Sequence, residues 1–386
     1  MALRHYQNNH PDGAVIEVHI ADIHFGSIDP KTEYEILREQ FIFPLTNLRF
    51  DILAVDGDLF DKKFLASAPA VEYATKFILD CIQLCTMNQA TMILLAGTKS
   101  HDADQLSMFQ GFTESDTVDF RIVEHLQFEY TKGLKILCIP EEYGRPAEYY
   151  IDKLATVYDT VFMHGTVVGS VYGANKYTLE SKKAPVFGID AFSGCKGPII
   201  AGHVHKAACY SNDIYYTSNP IRYRFGEEEE KGFGIVLHGQ TGYLYKFIPI
   251  ISFRYDTINI DQIRSTDPNE IISYLDHLKA NGIDYVRIDF NSPNWTPDFN
   301  TQSIIEKYYA NDPRVSIKRY TETSKKLDII QEEHDSKFDQ MQFLLDSTLD
   351  GYTKFVNFVN YSEGKQILTV DQLKAILSGQ DINTIF

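Results

Sequence analysis

Between Ala14 and Thr217 the chain keeps returning to one arrangement: a short apolar or β-branched run, too short for a helix, that ends in a polar loop. The candidate strands are Ala14 to Ala21, Ile52 to Val55, Met92 to Ala96, Leu134 to Ile139, Val161 to Met163 and Pro198 to Ala201. Helical stretches intervene. Val71, Ala74, Ile78, Cys81, Ile82 and Cys85 recur at steps of three and four, which lines one face of a helix with apolar groups. Strand and helix in alternation predict an α/β sheet. The loops matter as much as the strands. Asp22 and His24 follow the first strand, Asp58 and Asp61 the second, and Ser100, His101 and Asp102 the third; His164, then His203 and His205, follow two later ones. In open α/β sheets the ligand crevice lies outside the carboxyl ends of the strands, so loops far apart in sequence can meet there.

The carboxylates and imidazoles come without thiolates, a donor mix that suits Mn²⁺, Fe or Zn²⁺, and there are enough of them for two ions sharing a carboxylate. Two ions at roughly 3.5–4 Å polarise phosphoryl oxygens and generate hydroxide near neutral pH, the device of many phosphatases and nucleases. The five cysteines (Cys81, Cys85, Cys138, Cys195, Cys209) contain no C-x-x-C pair and are odd in number, which argues against a disulfide framework and a zinc knuckle. A formal charge of −17 excludes a protein that grips nucleic acid over its whole surface, so any DNA contact must be local, metal-assisted or shared with a partner. No long apolar run is present and Met1 to Gly13 is polar, so neither a membrane span nor a signal peptide is expected and the default location is the cytoplasm.

Beyond Thr217 an all-β stretch (Gly234 to Leu237, Tyr243 to Ile248) gives way near residue 250 to a small α+β pattern. Its strands are Tyr255 to Ile260, Tyr285 to Phe290 and Val315 to Tyr320; its helices are Asn269 to Ala280 and Gln302 to Ala310. A polar linker, Thr321 to Lys326, precedes helical signals rich in large apolar groups such as Phe338, Met341 and Phe358. The last is a short helix, Leu373 to Leu377, with Thr369 as N-cap and Gln372 three residues on. The expected domains are residues 1–250, 251–322 and 323–386.

The order D-x-H, GD-x-x-D, a G…HD loop, H and GH-x-H resembles that of calcineurin-like metallophosphoesterases over roughly residues 14 to 235. That resemblance implies a two-sheet α/β sandwich with one ion held by Asp22, His24, Asp58 and His205. The second would be held by Asp58, as bridge, with His164 and His203. His101 would be an unligated catalytic histidine that contacts the scissile phosphate. Where the family reads GNHD, this chain reads GTKSHD and lacks the amide ligand. Ser100 stands in the matching place and is the expected substitute, with Thr98 or a water as alternatives. Asp61 and Asp102 read either as carboxylates that orient ligand or catalytic histidines, or as helix N-terminal acids.

The stretch TSNPIRYRFGEEEEKGFGIV resembles the segment after GH-x-H in SbcD-type nucleases, and the order of the later segments resembles their capping domain and partner-binding helices. By that resemblance the protein is a DNA nuclease, a 3′ to 5′ exonuclease and single-strand endonuclease using two divalent ions, Mn²⁺ foremost. It would be a homodimer joined to an SbcC-like coiled-coil ATPase, and a phage-encoded member would act in the host cytoplasm. Arg222 and Arg224 are candidates to face phosphate or to pack, and Glu227 to Glu230 reads as a solvated turn. His19 and His238, outside every motif, read as structural. Two rival functions share these residues: a phosphoesterase for another ester, and a non-catalytic scaffold with a degenerate metal site.

Overall fold

The structure, a computed structural model, describes residues 14–102, 104–170, 184–211, 213–291, 299–319 and 369–371. The linker at 321–326, the apolar helical signals from 327 to 368, the last expected helix at 373–377, and His5, His10 and His334 lie outside them; Val370 and Asp371, after the expected cap Thr369, are helical.

In chain order the first strands are β1 (Val15–Ile20), β2 (Ile52–Asp56), β3 (Thr91–Leu95), β4 (Asp119–Val123), β5 (Gln127–Thr131) and β6 (Leu134–Ile139). They are followed by β7 (Thr160–His164), β8 (Thr166–Val167), β9 (Val186–Phe187), β10 (Ile199–Gly202), β11 (Ala208–Tyr210), β12 (Ile214–Tyr216), β13 (Lys231–Gly239) and β14 (Gly242–Ile250). The longer helices among them include α1 (Pro30–Leu37), α2 (Pro69–Asn88) and α3 (Glu148–Leu154). Two six-stranded sheets result, ordered β14-β13-β1-β2-β3-β4 and β11-β12-β10-β7-β6-β5. Each has a parallel centre, β1 to β4 in one and β12, β10, β7 and β6 in the other, with antiparallel strands outside. The class is mixed α/β.

Strand periodicity decides which side chains meet, because successive residues point to opposite faces. Leu53 and Val55 of β2 and Met92 and Leu94 of β3 join a core with Leu37 of α1 and Ala74, Phe77 and Ile78 of α2. The alternate residues Ile52, Ala54, Ile93 and Leu95 face the other sheet, packing with Ile136, Cys138 and Phe162. Leu137, Ile139, Val161 and Met163 turn outward to Tyr150 and Leu154 of α3. The central strands are thus buried on both faces, which is why they read as near-continuous apolar runs. Each fully buried Leu, Val or Phe contributes roughly 1.5–3 kcal/mol.

The helices begin and end as local chemistry dictates. Asp29 caps α1 by accepting from Thr32 N–H at 2.9 Å, with Pro30 in the first turn; α2 starts on Pro69 and closes on Gln89 in the left-handed region, φ 54°. Strands β4 and β5 were not expected. Both lie at sheet edges, and the bond between Arg121 and Glu129 (2.6 Å) joins them. Their charged residues hide the apolar alternation.

Past Ile250 come β15 (Tyr255–Asn259), α4 (Pro268–Ala280), β16 (Tyr285–Asp289), α5 (Phe299–Tyr308) and β17 (Val315–Lys318), with the strands in one sheet in that order. By its contacts the chain divides into two compact units. One runs to Ile258 and takes in Asn269–Ile288 and Tyr308–Ser316; the other holds Asn259–Pro268, Asp289–Lys307 and the chain from Ile317. Both large sheets belong to the first. Among the described residues no helix is long and apolar enough to cross a membrane.

Candidate metal centre

The loops that leave β1, β2, β3, β6, β7 and β10 meet at the carboxyl ends of the two sheets. Those after β1 and β2 continue the strand pairing: Asp22 N–H donates to Gly57 O and His24 N–H to Asp58 O, both at 3.0 Å. To turn inward there, Asp22, His24, Asp58 and His203 all adopt positive φ (52°, 57°, 54° and 87°). Side-chain-bearing residues rarely do so, at a cost of roughly 1–3 kcal/mol each, and such strain collects at functional sites.

Among the described residues three groups of donor atoms lie close enough to share ions, with all atoms of a group within 4.8 Å of one another. They are Asp22, His24 and His205; His24, Asp58 and His101; and Asp58, His164 and His203. Asp58 links them. Its Oδ2 is 3.7 Å from His24 Nε2 on one side and 3.3 Å from His164 Nε2 on the other, while its Oδ1 accepts from Thr98 N–H at 2.6 Å. Asp22, fully buried, accepts from His203 N–H with both oxygens (2.9 Å each) and lies 3.8 Å from His205 Nε2.

Electrostatics explains why such a cluster fits cations. Burial holds His24 well below the ordinary imidazole range and takes His203 down to about 3, so both are neutral and offer lone pairs. Yet His24 Nε2 and His205 Nε2 face each other at 3.0 Å, and His203 Nδ1 and His164 Nε2 at 3.3 Å. Burial opposes charge on His164 too, but Asp58 outweighs it and holds this group well above the ordinary range. Its Nδ1–H donates to the Asp56 carbonyl at 2.8 Å, which leaves Nε2 aimed at the cluster. Lone pairs and carboxylates converging away from water are stable beside divalent ions, so the residues present fit them.

His101 sits 4.8 Å, ring to ring, from His24, and its Nδ1–H is held by the Asp61 carbonyl. Asp61 therefore serves through its main chain. Asp102 does not face the centre. Its carboxylate accepts from Gly97 N–H (2.9 Å) and Phe60 N–H (3.2 Å), tying the loop after β3 to the loop after β2; burial and the charge of Asp58 raise its pKa to about 7.

Two expectations need correction, and the alternative left open for Arg222 and Arg224 is decided. Ser100 is exposed on its turn, because the two residues inserted before His101 carry it outward. The buried Thr98 occupies the inner position instead, its hydroxyl 3.2 Å from Asp58 Oδ2. Arg222 does not face phosphate: its guanidinium donates to the carbonyls of Phe253, Glu228 and Glu229 at 2.8–3.2 Å. Arg224 is exposed, with Nε 3.5 Å from Glu227. Nor is the acidic run wholly solvated. Glu228 and Glu230 are exposed, but Glu227 is buried; it accepts from Tyr223 N–H (3.0 Å) and lies 3.7 Å from His205 Nδ1 and 3.6 Å from Lys231. Lys231, also buried, donates to the His205 carbonyl at 2.6 Å, joined there by Ser218 Oγ at 3.0 Å. The stretch after GH-x-H is the platform on which His205 rests.

Sequence reasoning missed Glu141. This residue follows β6 as the other candidates follow their strands, so the same rule applied to Leu134–Ile139 would have found it. Its Oε2 lies 3.1 Å from His203 Nδ1 and 3.0 Å from Thr98 Oγ1, whereas the adjacent Glu142 turns away to Leu126 N–H and Tyr149.

No family model matches the chain, and no curated protein matches it. Among 45 matching chains of solved structures, one without a protein name aligns at 13% identity over 62% of this chain and 100% of its own, with a TM-score of 0.38. Another, described as a cold-active protein-tyrosine phosphatase of a psychrophile Shewanella sp., aligns at 12% identity over 63% of this chain and 82% of its own, with a TM-score of 0.29. At these scores neither likeness carries an argument, and a functional reading rests on the site itself.

Proposed function

We propose that this chain is a two-metal phosphodiesterase of the calcineurin-like type and, within it, an SbcD-like DNA nuclease. The observation that carries the reading is the shared Asp58, one carboxylate oxygen placed between a His24 group and a His164 group at the carboxyl ends of two packed sheets. Asp22, His24, Asp58 and His205 would hold one ion, and Asp58, His164 and His203 the other. When bound, two divalent ions supply charge neutralisation at the phosphoryl oxygens and a nucleophile near neutral pH. The chain's own groups do the rest. With Nδ1 fixed by the Asp61 carbonyl, His101 keeps Nε2 for a hydrogen bond or proton to the leaving oxygen. Thr98 N–H and the platform of Glu227, Lys231 and Ser218 fix the positions of Asp58 and His205.

The α/β/β/α layering and the small βαβαβ element after Ile250 support the same reading, with the latter as the capping element. DNA as substrate, Mn²⁺ as metal, a homodimer, an SbcC-like ATPase partner and a cytoplasmic location follow from that assignment. The net charge of −17 makes the ions the natural place for phosphate to dock. The test is hydrolysis by the purified protein with Mn²⁺, of single- and double-stranded DNA against p-nitrophenyl phosphate. Release of nucleotides at a rate far above monoester hydrolysis is expected. Monoester hydrolysis without DNA cleavage would show a phosphatase instead.

A further inference from the structure

The second group of donors is short of one ligand by the family pattern, and the structure offers another in its place. Around the Thr98 hydroxyl stand four donor atoms from four different strand ends. They are Glu141 Oε2 at 3.0 Å, Asp58 Oδ2 at 3.2 Å, His203 Nδ1 at 3.4 Å and His164 Nε2 at 3.5 Å. Glu141 Oε2 is also 3.1 Å from His203 Nδ1 and 3.8 Å from His164 Nε2, and the residue is 6% exposed. Two carboxylates, those of Asp58 and Glu141, are therefore buried on one small set of imidazoles. The one hydroxyl proton of Thr98 cannot serve Asp58 Oδ2 and Glu141 Oε2 at once, although Thr98 N–H also holds Asp58 Oδ1 and Tyr143 also bonds Glu141. Buried like charges of this kind persist where a cation joins them.

Accepting the two-metal reading, we infer that the Glu141 carboxylate is a direct ligand of the second ion and replaces the amide that the GTKSHD loop lacks. Thr98, whose main-chain N–H holds Asp58 and whose hydroxyl reaches Glu141, orients the pair. The inserted residues push Ser100 out, and the vacated ligand place is filled from the next strand end, β6, instead of from β3. Position alone could make Glu141 a mere hydrogen-bond strut for Thr98. Metal binding separates the two roles, because a strut can be an amide while an anionic ligand cannot be exchanged without loss of affinity.

Mn²⁺ is titrated calorimetrically into the full-length protein, Glu141→Gln and Glu141→Ala, with bound metal counted by mass spectrometry and folding checked by circular dichroism. The wild type takes up two ions. Glu141→Ala takes up one, with the tighter site unchanged. Glu141→Gln keeps two, the second weakened on the order of tenfold or more, since a neutral amide oxygen is a weaker ligand for a divalent ion than a carboxylate. Two ions at wild-type affinity in Glu141→Ala overturn the assignment, as does loss of both ions from a folded variant. Should Glu141→Ala not fold, an unchanged second affinity in Glu141→Gln overturns it. A wild type that binds one ion or none instead defeats the two-metal reading itself, a result distinct from the others.

Discussion

Histidine serves opposite purposes in this protein, and burial alone does not separate them. His24 and His203 are kept neutral beside their acids, whereas the fully buried His19 is held charged, its pKa raised to about 9. Burial opposes that charge, but Asp56 at 2.8 Å and Glu17 at 3.2 Å outweigh it, and His238 lies 2.9 Å from Glu17 on the other side. An unfolded histidine titrates near 6.5, so the stability from His19 is complete below that pH and is lost as pH rises through about 9. We predict that His19→Gln costs about 3 kcal/mol more near pH 6 than near pH 10, measured by denaturant unfolding. Equal costs would mean a neutral His19. The IEVHI alternation showed Glu17 on the same face but not the charge, because Asp56 of β2 and His238 of β13 are brought alongside only by folding. Glu227 was misread for the same reason: four glutamates in a row look solvated until Lys231 and His205 are seen beside the first. Glu227→Gln is expected to weaken Mn²⁺ binding by about 10–100-fold, the usual worth of a carboxylate behind a ligating histidine. Ser100→Asn should leave the Mn²⁺ isotherm unchanged, since the side chain is exposed on its turn; tighter binding would return Ser100 to the centre.

At the scale of strands and loops, the buried central strands announced themselves. Leu134–Ile139 was read to the residue, and Ile52–Asp56, Thr91–Leu95, Thr160–His164 and Ile199–Gly202 to within one, because strands covered on both faces are continuous apolar runs. The edge strands β4 and β5 did not, since an edge tolerates the charges that blur the pattern. The hairpin that joins β5 to β6 was also obscured, since its turn is only Lys132 and Gly133, both at positive φ (52° and 81°). That these loops carry acids and histidines at the strand ends was legible, but not their exact contacts, which depend on backbone packing. Gly57 shows how tight that packing is. It has φ 89°, and a Cβ on it would overlap His164 Nδ1. Gly57→Ala should therefore displace His164, lower stability by more than about 1 kcal/mol and abolish uptake of the second ion. Thermal unfolding and metal counting check this, and a variant with wild-type metal content would show that the loops after β2 and β7 are looser than drawn.

For the molecule as a whole, the arrangement places one centre where two sheets bring their strand ends together, and neither sheet holds it alone. Asp22, His24 and Asp58 come from the first sheet, His164, His203 and His205 from the second, and the layer of apolar side chains between the sheets sets their separation. Stability and function are thus coupled through the same interface. The central claim, that this shared centre hydrolyses phosphodiesters, is tested most directly by nucleotide release from end-labelled DNA in Mn²⁺, comparing wild type with Asp58→Asn and with added chelator, while bound metal is counted in each. The account predicts release by the wild type alone, with Asp58→Asn slower on the order of a thousandfold and depleted of metal. Undiminished release by Asp58→Asn with unchanged metal content, or no release by a wild type carrying both ions, would contradict it.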